Sequence, residues 1–312
     1  IGYCGRESKW QSFHWNEFVE YALERNVEVI RIDLTQRIED QGKFDLIIHK
    51  MTNVMDGHNM ECNLELNSLY KYSKEHPEVI IIDKLDNVAT SLDREEMTEI
   101  LQSIQWTLND QVSIPKSVLL ERSDLDYIIN TTKTLNFPII AKPKIASISL
   151  KSTNSFSHML KLVAKPEDLV NFTTPSVLQE YINHGGHVFK LYALGSQLFC
   201  DIRPSTRNVS AGEVINIEFH SEKPNVDNGL WTKPVDYTGI HIPMEDFKKI
   251  SEDIQKAMNL HLLGIDIIID EENGKYYVID VNYFPGYKNV KDIWPKFFDF
   301  FLECLELNGS KE

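Results

Sequence analysis

The chain has 312 residues, 42% hydrophobic and 25% charged, a composition of soluble globular proteins with room for two or three modest domains. Its net charge of −15 disfavours a nucleic-acid partner, and no apolar run approaches the ~18 residues that would place it in a membrane. Cys4, Cys62, Cys200 and Cys304 lie far apart with no C-x-x-C pair, which fits free thiols in a reducing, cytoplasmic setting rather than a disulfide framework.

In chain order, Ile1–Cys4 reads as a short strand, about Trp15–Arg25 as a helix, and Val27–Leu34 and Phe44–His49 as strands. A helix over about Asn63–Glu75 and a strand over Val79–Asp83 follow. Strands alternating with helices at this spacing predict a parallel α/β lobe over residues 1–86. A helix from Val88 to about Thr107 carries Arg94, and Ile114-Pro115 breaks the pattern. A helix around Asp124–Leu135 leads into the strand Phe137–Pro143, then come strands His158–Val163 and Ser176–Ile182 with a short helix near Pro166–Asn171. These make a second unit, 87–184. In the third, 185–312, Val188–Leu194 and Gln197–Pro204 flank the hairpin turn Gly195-Ser196. The polar stretch Asn208–Tyr237 reads as one long loop. Phe247, Ile250, Ile254 and Met258 recur at helical spacing, so about Met244–Asn259 is a helix packed on a sheet; a last helix covers about Ile293–Leu307.

Between the last two helices lie two β-branched runs, Leu263-Gly264-Ile265-Asp266-Ile267-Ile268-Ile269 and Val278-Ile279-Asp280-Val281-Asn282, joined by a turn holding Asn273-Gly274. A hairpin centred there sets Asp266 opposite Asp280, and period-two alternation puts Asn282 on the face of Asp280. Two carboxylates and an amide oxygen are hard donors suited to Mg²⁺, which with so few protein ligands shares its sphere with phosphates. One acid in an apolar strand is an ordinary edge residue; two acids and an amide in register point to a metal.

Lys50 and Lys142 each close an apolar strand, where α/β sheets open into ligand crevices, and Lys190 interrupts a strand. A lysine in such a pattern calls for an anion or a wet face. The fork of Arg203 suits phosphate, while His158 alone, like most lone histidines, reads as structural. His184 and His187 flank Gly185-Gly186 and read as loop residues rather than zinc ligands.

The pattern G-I-D-I-I-I, about a dozen residues, then V-I-D-V-N-x-F-P-G-Y resembles the metal-binding end of the ATP-grasp fold. Its Asn-x-Phe-Pro-Gly-Tyr ending is similar to the inositol 1,3,4-trisphosphate 5/6-kinase family, also called inositol-tetrakisphosphate 1-kinase. The resemblance extends over Ile1-Gly2-Tyr3 with Lys9, Ile47-Ile48-His49-Lys50, Leu92-Asp93-Arg94, Phe137-Pro138 with Lys142, Ser157-His158, Gln179 through His184, Arg203-Pro204-Ser205 and Ser210-Ala211-Gly212. It departs after Lys142. There 143–157 is longer than the family's loop, lacks its glycine, and leaves Thr153-Asn154 as the counterpart of the family's Thr-Asn.

The resemblance implies an α/β ATP-grasp protein whose two sheets sandwich ATP beside an N-terminal substrate lobe. It implies transfer of the γ-phosphoryl group to a ring hydroxyl of inositol 1,3,4-trisphosphate or inositol 3,4,5,6-tetrakisphosphate. Lys142, Lys190 and Asp280 would carry the reaction. Asp266, Asp280 and Asn282 would hold Mg²⁺, expected as two ions. Arg94, Lys142, Gln179, Glu180, Tyr181, Ile182, Lys190, Arg203 and Ser205 would bind ATP. Lys9, Lys50, His158, Lys190, Asn282 and Gly286 would bind the inositol polyphosphate. The expected protein is a monomer whose partners are these two small molecules. The rival on the same fold is a carboxylate–amine ligase working through an acyl phosphate, which has no use for Lys9, Lys50 and His158 together.

Overall fold

The computed structural model describes residues 1–146, 158–221, 229–233 and 237–309. The expected features of the loop 143–157 from Ser147 onward, Ser157 included, lie outside the described residues, as does the stretch immediately after Ser221.

Four short strands, β1 (Gly2–Gly5), β2 (Ile30–Arg31), β3 (Leu46–Lys50) and β4 (Ile80–Ile82), form a parallel sheet in the order β2-β1-β3-β4. Helices α1 (Glu7–Ser12), α2 (Trp15–Leu23), α3 (Leu64–Glu75) and α4 (Leu85–Thr90) complete the lobe. The β2 strand is shorter than the expected Val27–Leu34, because β1 offers it only Gly2 and Tyr3 as pairing partners; Val29 and Ile32 are still buried. The six-residue α1 escapes the sequence pattern, being too short to show a period.

The expected helix Val88–Thr107 is two helices, α4 and α5 (Arg94–Ser103), broken at Ser91–Asp93. Tertiary bonding overrides local propensity there. Leu92 O accepts from Ala146 N at 2.9 Å and Arg94 N donates to Lys144 O at 2.9 Å, so the chain must leave the helix to reach its neighbour. Asp93 then caps α5, its carboxylate accepting from Glu95 N at 2.9 Å and Glu96 N at 3.3 Å. Two short strands follow, β5 (Val112–Ser113) and β6 (Ser117–Leu120), on either side of the Ile114-Pro115 break.

The second sheet runs β12-β8-β7-β9-β6 and is antiparallel throughout. It adds β7 (Ile139–Pro143), β8 (Met159–Val163), β9 (Ser176–Glu180) and β12 (Asn216–His220), with α6 (Leu125–Thr132) packed on its outer face. The strand β12 sits inside the stretch expected to be loop. It alternates over only a few residues, and only its pairing with β8, Ile217 opposite Leu162, makes it a strand. The third sheet runs β11-β10-β13-β14-β5, with β10 (His187–Leu194), β11 (Gln197–Pro204), β13 (Leu262–Ile269) and β14 (Tyr276–Tyr283). Gly195 turns the first hairpin at φ +56°, where a Cβ would lie 2.5 Å from Phe300. The helix α7 (Met244–Met258) buries Phe247, Ile250, Ile254 and Met258, the expected stripe, against this sheet.

The helix α8 (Ile293–Gly309) locks the first lobe to the third sheet through aromatic rings. Phe13 meets Phe284 and Phe297 edge-on at 5.6 Å each, and Phe18 meets Phe301 at the same distance. Such pairs add to the burial of large apolar surfaces. Strand ends from the lobe are therefore held against the end of β14.

Replacing Asp93 by Ala removes the α5 cap and should lower the unfolding free energy by about 1 kcal/mol. A urea melt would show a lower midpoint at unchanged slope; an unchanged midpoint would mean the cap contributes nothing.

Candidate active site

One transverse row of the third sheet carries charge on four successive strands. Asp201 on β11 pairs with Lys190 on β10, Lys190 with Asp266 on β13, and Asp266 with Asp280 on β14. Residues that pair across a ladder point to the same face, so the four side chains line one surface. The expected opposition of Asp266 and Asp280 is present, with a register shift just after Asp266. Lys190 Nζ donates to Asp266 Oδ1 at 2.6 Å. Asn282 Nδ2 donates to Asp280 Oδ2 at 2.7 Å, which leaves the amide oxygen as that group's acceptor.

The second sheet closes over this row. Lys142, buried at the end of β7, donates to Gln179 Oε1 at 2.8 Å and to Ile279 O at 2.9 Å, so one ammonium bridges the two sheets. Arg94, buried at the start of α5, donates through Nη1 to Pro143 O at 2.5 Å. Burial pushes the carboxyl of Asp280 up, but Arg94, Lys142 and Lys190 outweigh it and hold the group below the ordinary carboxylate range. Burial lowers Lys142 to about 8, an effect that Asp280 only partly offsets. For Lys190 the order reverses: burial depresses it, and the contact with Asp266 more than compensates.

From the first lobe, Lys50 closes β3 and its Nζ donates to Phe284 O at 2.6 Å, two residues beyond Asn282. Burial, and then the neighbouring charge of Lys9, lower it to about 8, while Lys9 itself lies exposed on α1. Gly286 is exposed, and a Cβ there would meet only Lys288 Cγ at 3.9 Å. His158 precedes β8, at the same end of its sheet as Lys142, with its ring stacked 5.5 Å from His220.

Arg94, Lys142, Gln179, Lys190, Asp266, Asp280 and Asn282 thus meet at one place, and Lys50 reaches its edge. Other candidates are engaged nearby in bonds of their own. Arg203 donates Nε to Asp201 at 2.9 Å and Nη2 to the hydroxyl of Tyr192. The Glu180 carboxylate accepts from Asn136 N and Nδ2, and its own N–H donates to Lys116 O at 2.9 Å. Tyr181 bonds Thr206 and Arg207, the carbonyl of Ile182 accepts from His184 Nδ1, and Ser205 bonds His184 Nε2. His184 is therefore a buried structural residue.

Sequence reasoning did not single out Gly264 and Asp201. A Cβ on Gly264 would lie 3.0 Å from Pro285 and 3.7 Å from Lys190 Cε, so its absence lets both approach. Asp201 accepts from Arg203 and from Asn289 Nδ2 at 3.1 Å. Both gain their meaning from neighbours remote in sequence.

Among the described residues no group of three or more His, Cys, Asp or Glu converges on a metal-sized site. A cation here would rest on Asp266, Asp280 and the amide oxygen of Asn282, completed by oxygens from outside the protein. That donor set fits Mg²⁺, which keeps several non-protein ligands. No helix of the described residues is long and apolar enough to cross a membrane.

The family model of the inositol 1,3,4-trisphosphate 5/6-kinase ATP-grasp domain matches residues 107–303, and that of the pre-ATP-grasp domain matches residues 1–88. Inositol-tetrakisphosphate 1-kinase of Danio rerio is 33% identical over 98% of this chain and 78% of its own length. Inositol-tetrakisphosphate 1-kinase 2 of Glycine max is 30% identical over 98% of this chain and 95% of its own. Among solved structures, D-alanine–D-alanine ligase from Bacillus anthracis superposes with TM-score 0.59 at 16% identity, covering 100% of this chain and 99% of that one. An ATP-grasp ligase from Chryseobacterium gregarium gives 0.62 at 13%, covering 97% of this chain and 96% of that one. At such identities the structures share the ATP-grasp fold with this chain.

Lysines lowered to about 8 lose their charge as pH rises through that value, so affinity for a polyphosphate should fall between pH 7 and 9.5. Calorimetric titration with a non-hydrolysable ATP analogue measures it. Lys142→Arg, charged throughout, should flatten the decline; the same slope in wild type and variant would remove Lys142 from the phosphate path.

Proposed function

Because the chain belongs to the inositol 1,3,4-trisphosphate 5/6-kinase family, we propose that it transfers the γ-phosphoryl group of ATP to a ring hydroxyl of inositol 1,3,4-trisphosphate or inositol 3,4,5,6-tetrakisphosphate. The observation that carries this reading is the bond from Lys50 Nζ to Phe284 O. It brings two cations of the first lobe, Lys50 with Lys9 beside it, to the end of the strand that bears Asp280 and Asn282. A polyanionic acceptor needs such a place on a protein of net charge −15.

ATP lies between the second and third sheets in this reading, its adenine along the backbone from Gln179 to Ile182. Lys142 on β7 and Arg94 on α5 face its phosphates from one side and Lys190 on β10 from the other. Asp266, Asp280 and Asn282 hold Mg²⁺, two ions in this proposal, which supply charge neutralisation of the nucleotide phosphates. Phosphoryl transfer passes through a loose transition state, so catalysis is mostly alignment and charge compensation. The bonds of Lys142 to Gln179 and Ile279, and of Lys190 to Asp266, fix those ammonium groups before substrate arrives. Lys9, Lys50 and His158 orient the inositol ring through its phosphates, and Gly286 leaves room for them. Arg203, held by Asp201 and Tyr192, faces the same charged row.

The fold is shared with ligases, which form an acyl phosphate and pass it to an amine. Lys9 and Lys50 beside the metal strand favour the kinase, since a carboxylate and an amine need no second cationic cluster.

Incubation with γ-labelled ATP and a panel of inositol phosphates should label an inositol trisphosphate or tetrakisphosphate. Label found only as free phosphate, released on adding a carboxylate and an amine, would support the ligase instead. In the working assay, Asp280→Asn should reduce turnover ~10²-fold or more. Lys9→Ala should raise KM for the inositol phosphate several-fold, spare KM for ATP, and weaken the salt dependence of substrate binding. Equal effects on both constants would mean that Lys9 lies outside the acceptor site.

A further inference from the structure

A buried polar network joins the first lobe to the third sheet at the point where Lys50 enters the site. Asp83, just after β4, is 2% exposed. Its Oδ2 accepts from the backbone N–H groups of His261 at 3.0 Å and Leu262 at 3.2 Å, where β13 begins. Its Oδ1 accepts from His261 Nδ1 at 2.5 Å. Its own N–H donates to the hydroxyl of Tyr283 at 2.9 Å. That hydroxyl has two carbonyl acceptors for its proton, His49 and Ile82, each at 3.1 Å. His49 is wholly buried and its Nε2 donates to Asp83 O at 2.5 Å.

The neighbours of these residues give the network its consequence. Tyr283 lies between Asn282 and Phe284 at the end of β14, and His49 immediately precedes Lys50 at the end of β3. The Tyr283 hydroxyl therefore pins the ends of β3 and β4 to the end of the metal strand, and Asp83 pins β4 to the start of β13. Lys50 Nζ reaches Phe284 O across the junction so held. A buried carboxylate with three donors and a tyrosine hydroxyl with partners from two strands cannot shift without leaving unpaired polar groups in the interior. The aromatic cluster between α2 and α8 holds the lobe in place but is non-directional; this network sets the register.

We infer that Tyr283 and Asp83 are positioning residues that seat the first lobe, and with it Lys50, against the metal strand, so that acceptor binding depends on them and nucleotide binding does not. The effect on acceptor binding rests on the inositol-phosphate reading of Lys50. The ATP cleft lies between the second and third sheets and makes none of these bonds, so the two substrates should respond differently.

Tyr283→Phe keeps the ring and deletes the hydroxyl. KM for the inositol phosphate should rise about tenfold, the scale of one well-placed hydrogen bond, with KM for ATP and kcat within about twofold. In protein without substrate, acetic anhydride should label the Lys50 amine faster than in wild type. A lower melting temperature with both KM values and Lys50 labelling unchanged would make the network merely structural and overturn the inference, as would equal rises in both KM values. If Tyr283→Phe does not fold, His261→Ala removes a single side-chain donor from Asp83 at the exposed edge and should give the same asymmetry with smaller amplitude; its absence is equally decisive against the inference. Should wild type phosphorylate no inositol phosphate, the functional reading fails, while Lys50 labelling still decides whether the network seats the lobe.

Discussion

The organisation of this protein depends on a compensated cluster of charges between two sheets, with Arg94 and Lys142 buried and Lys190, Asp266 and Asp280 half-buried. Arg94, Lys142 and Lys190 surround Asp280, with Asp266 beside Lys190. Taking any one of these groups out of water alone costs several kcal/mol, and deleting one partner of a buried pair typically costs about 3–5 kcal/mol. The cluster is tolerable only because its members arrive together from α5, β7, β10, β13 and β14. Each secondary element must therefore be in place for the others to be buried. Lys142 makes the dependence explicit, since its ammonium spans from Gln179 on one sheet to Ile279 on the other.

That constraint also shapes function. Three cations facing two carboxylates leave an excess of positive charge inside a chain of net charge −15. In a water-poor cleft such an excess acts strongly on phosphates and weakly on anything outside, because the interior screens less than solvent. The carboxylates compensate the lysines in the folded chain, and in the proposed reading they also supply the hard oxygens that Mg²⁺ prefers. The proposed acceptor side is built differently. Lys9 is exposed and Lys50 sits at a lobe junction, so affinity there depends on how two bodies of the fold are held together rather than on one packed cluster.

Much of this was legible in the residues. Asn273-Gly274 between two β-branched runs pointed to a hairpin with Asp266 opposite Asp280; that pairing holds through a register shift between Asp266 and Ile267, which leaves Ile279 as an extra residue on β14 and which no local signal announces. Lys50, Lys142 and Lys190 stood out because a charge in an apolar strand requires a reason. The break between α4 and α5 was hidden: the local sequence is helical, and only the partner strand at Lys144–Ala146 draws Leu92 and Arg94 out of the helix. The strand β12 was hidden because its pairing partner lies more than fifty residues away. Asp83, Tyr283 and Asp201 gave no sign, since each looks ordinary among its neighbours and gains meaning only from groups that folding brings to it.

The central claim is that the row Lys190–Asp266–Asp280, closed by Lys142, is where nucleotide and metal meet. It is tested most directly by anomalous scattering from Mn²⁺ in crystals grown with a non-hydrolysable ATP analogue. The account predicts Mn²⁺ between Asp266, Asp280 and Asn282, with Lys142 Nζ turned from Ile279 O onto a phosphate oxygen. Metal bound away from these residues, with Lys142 still on Ile279 O and the analogue elsewhere, would contradict it.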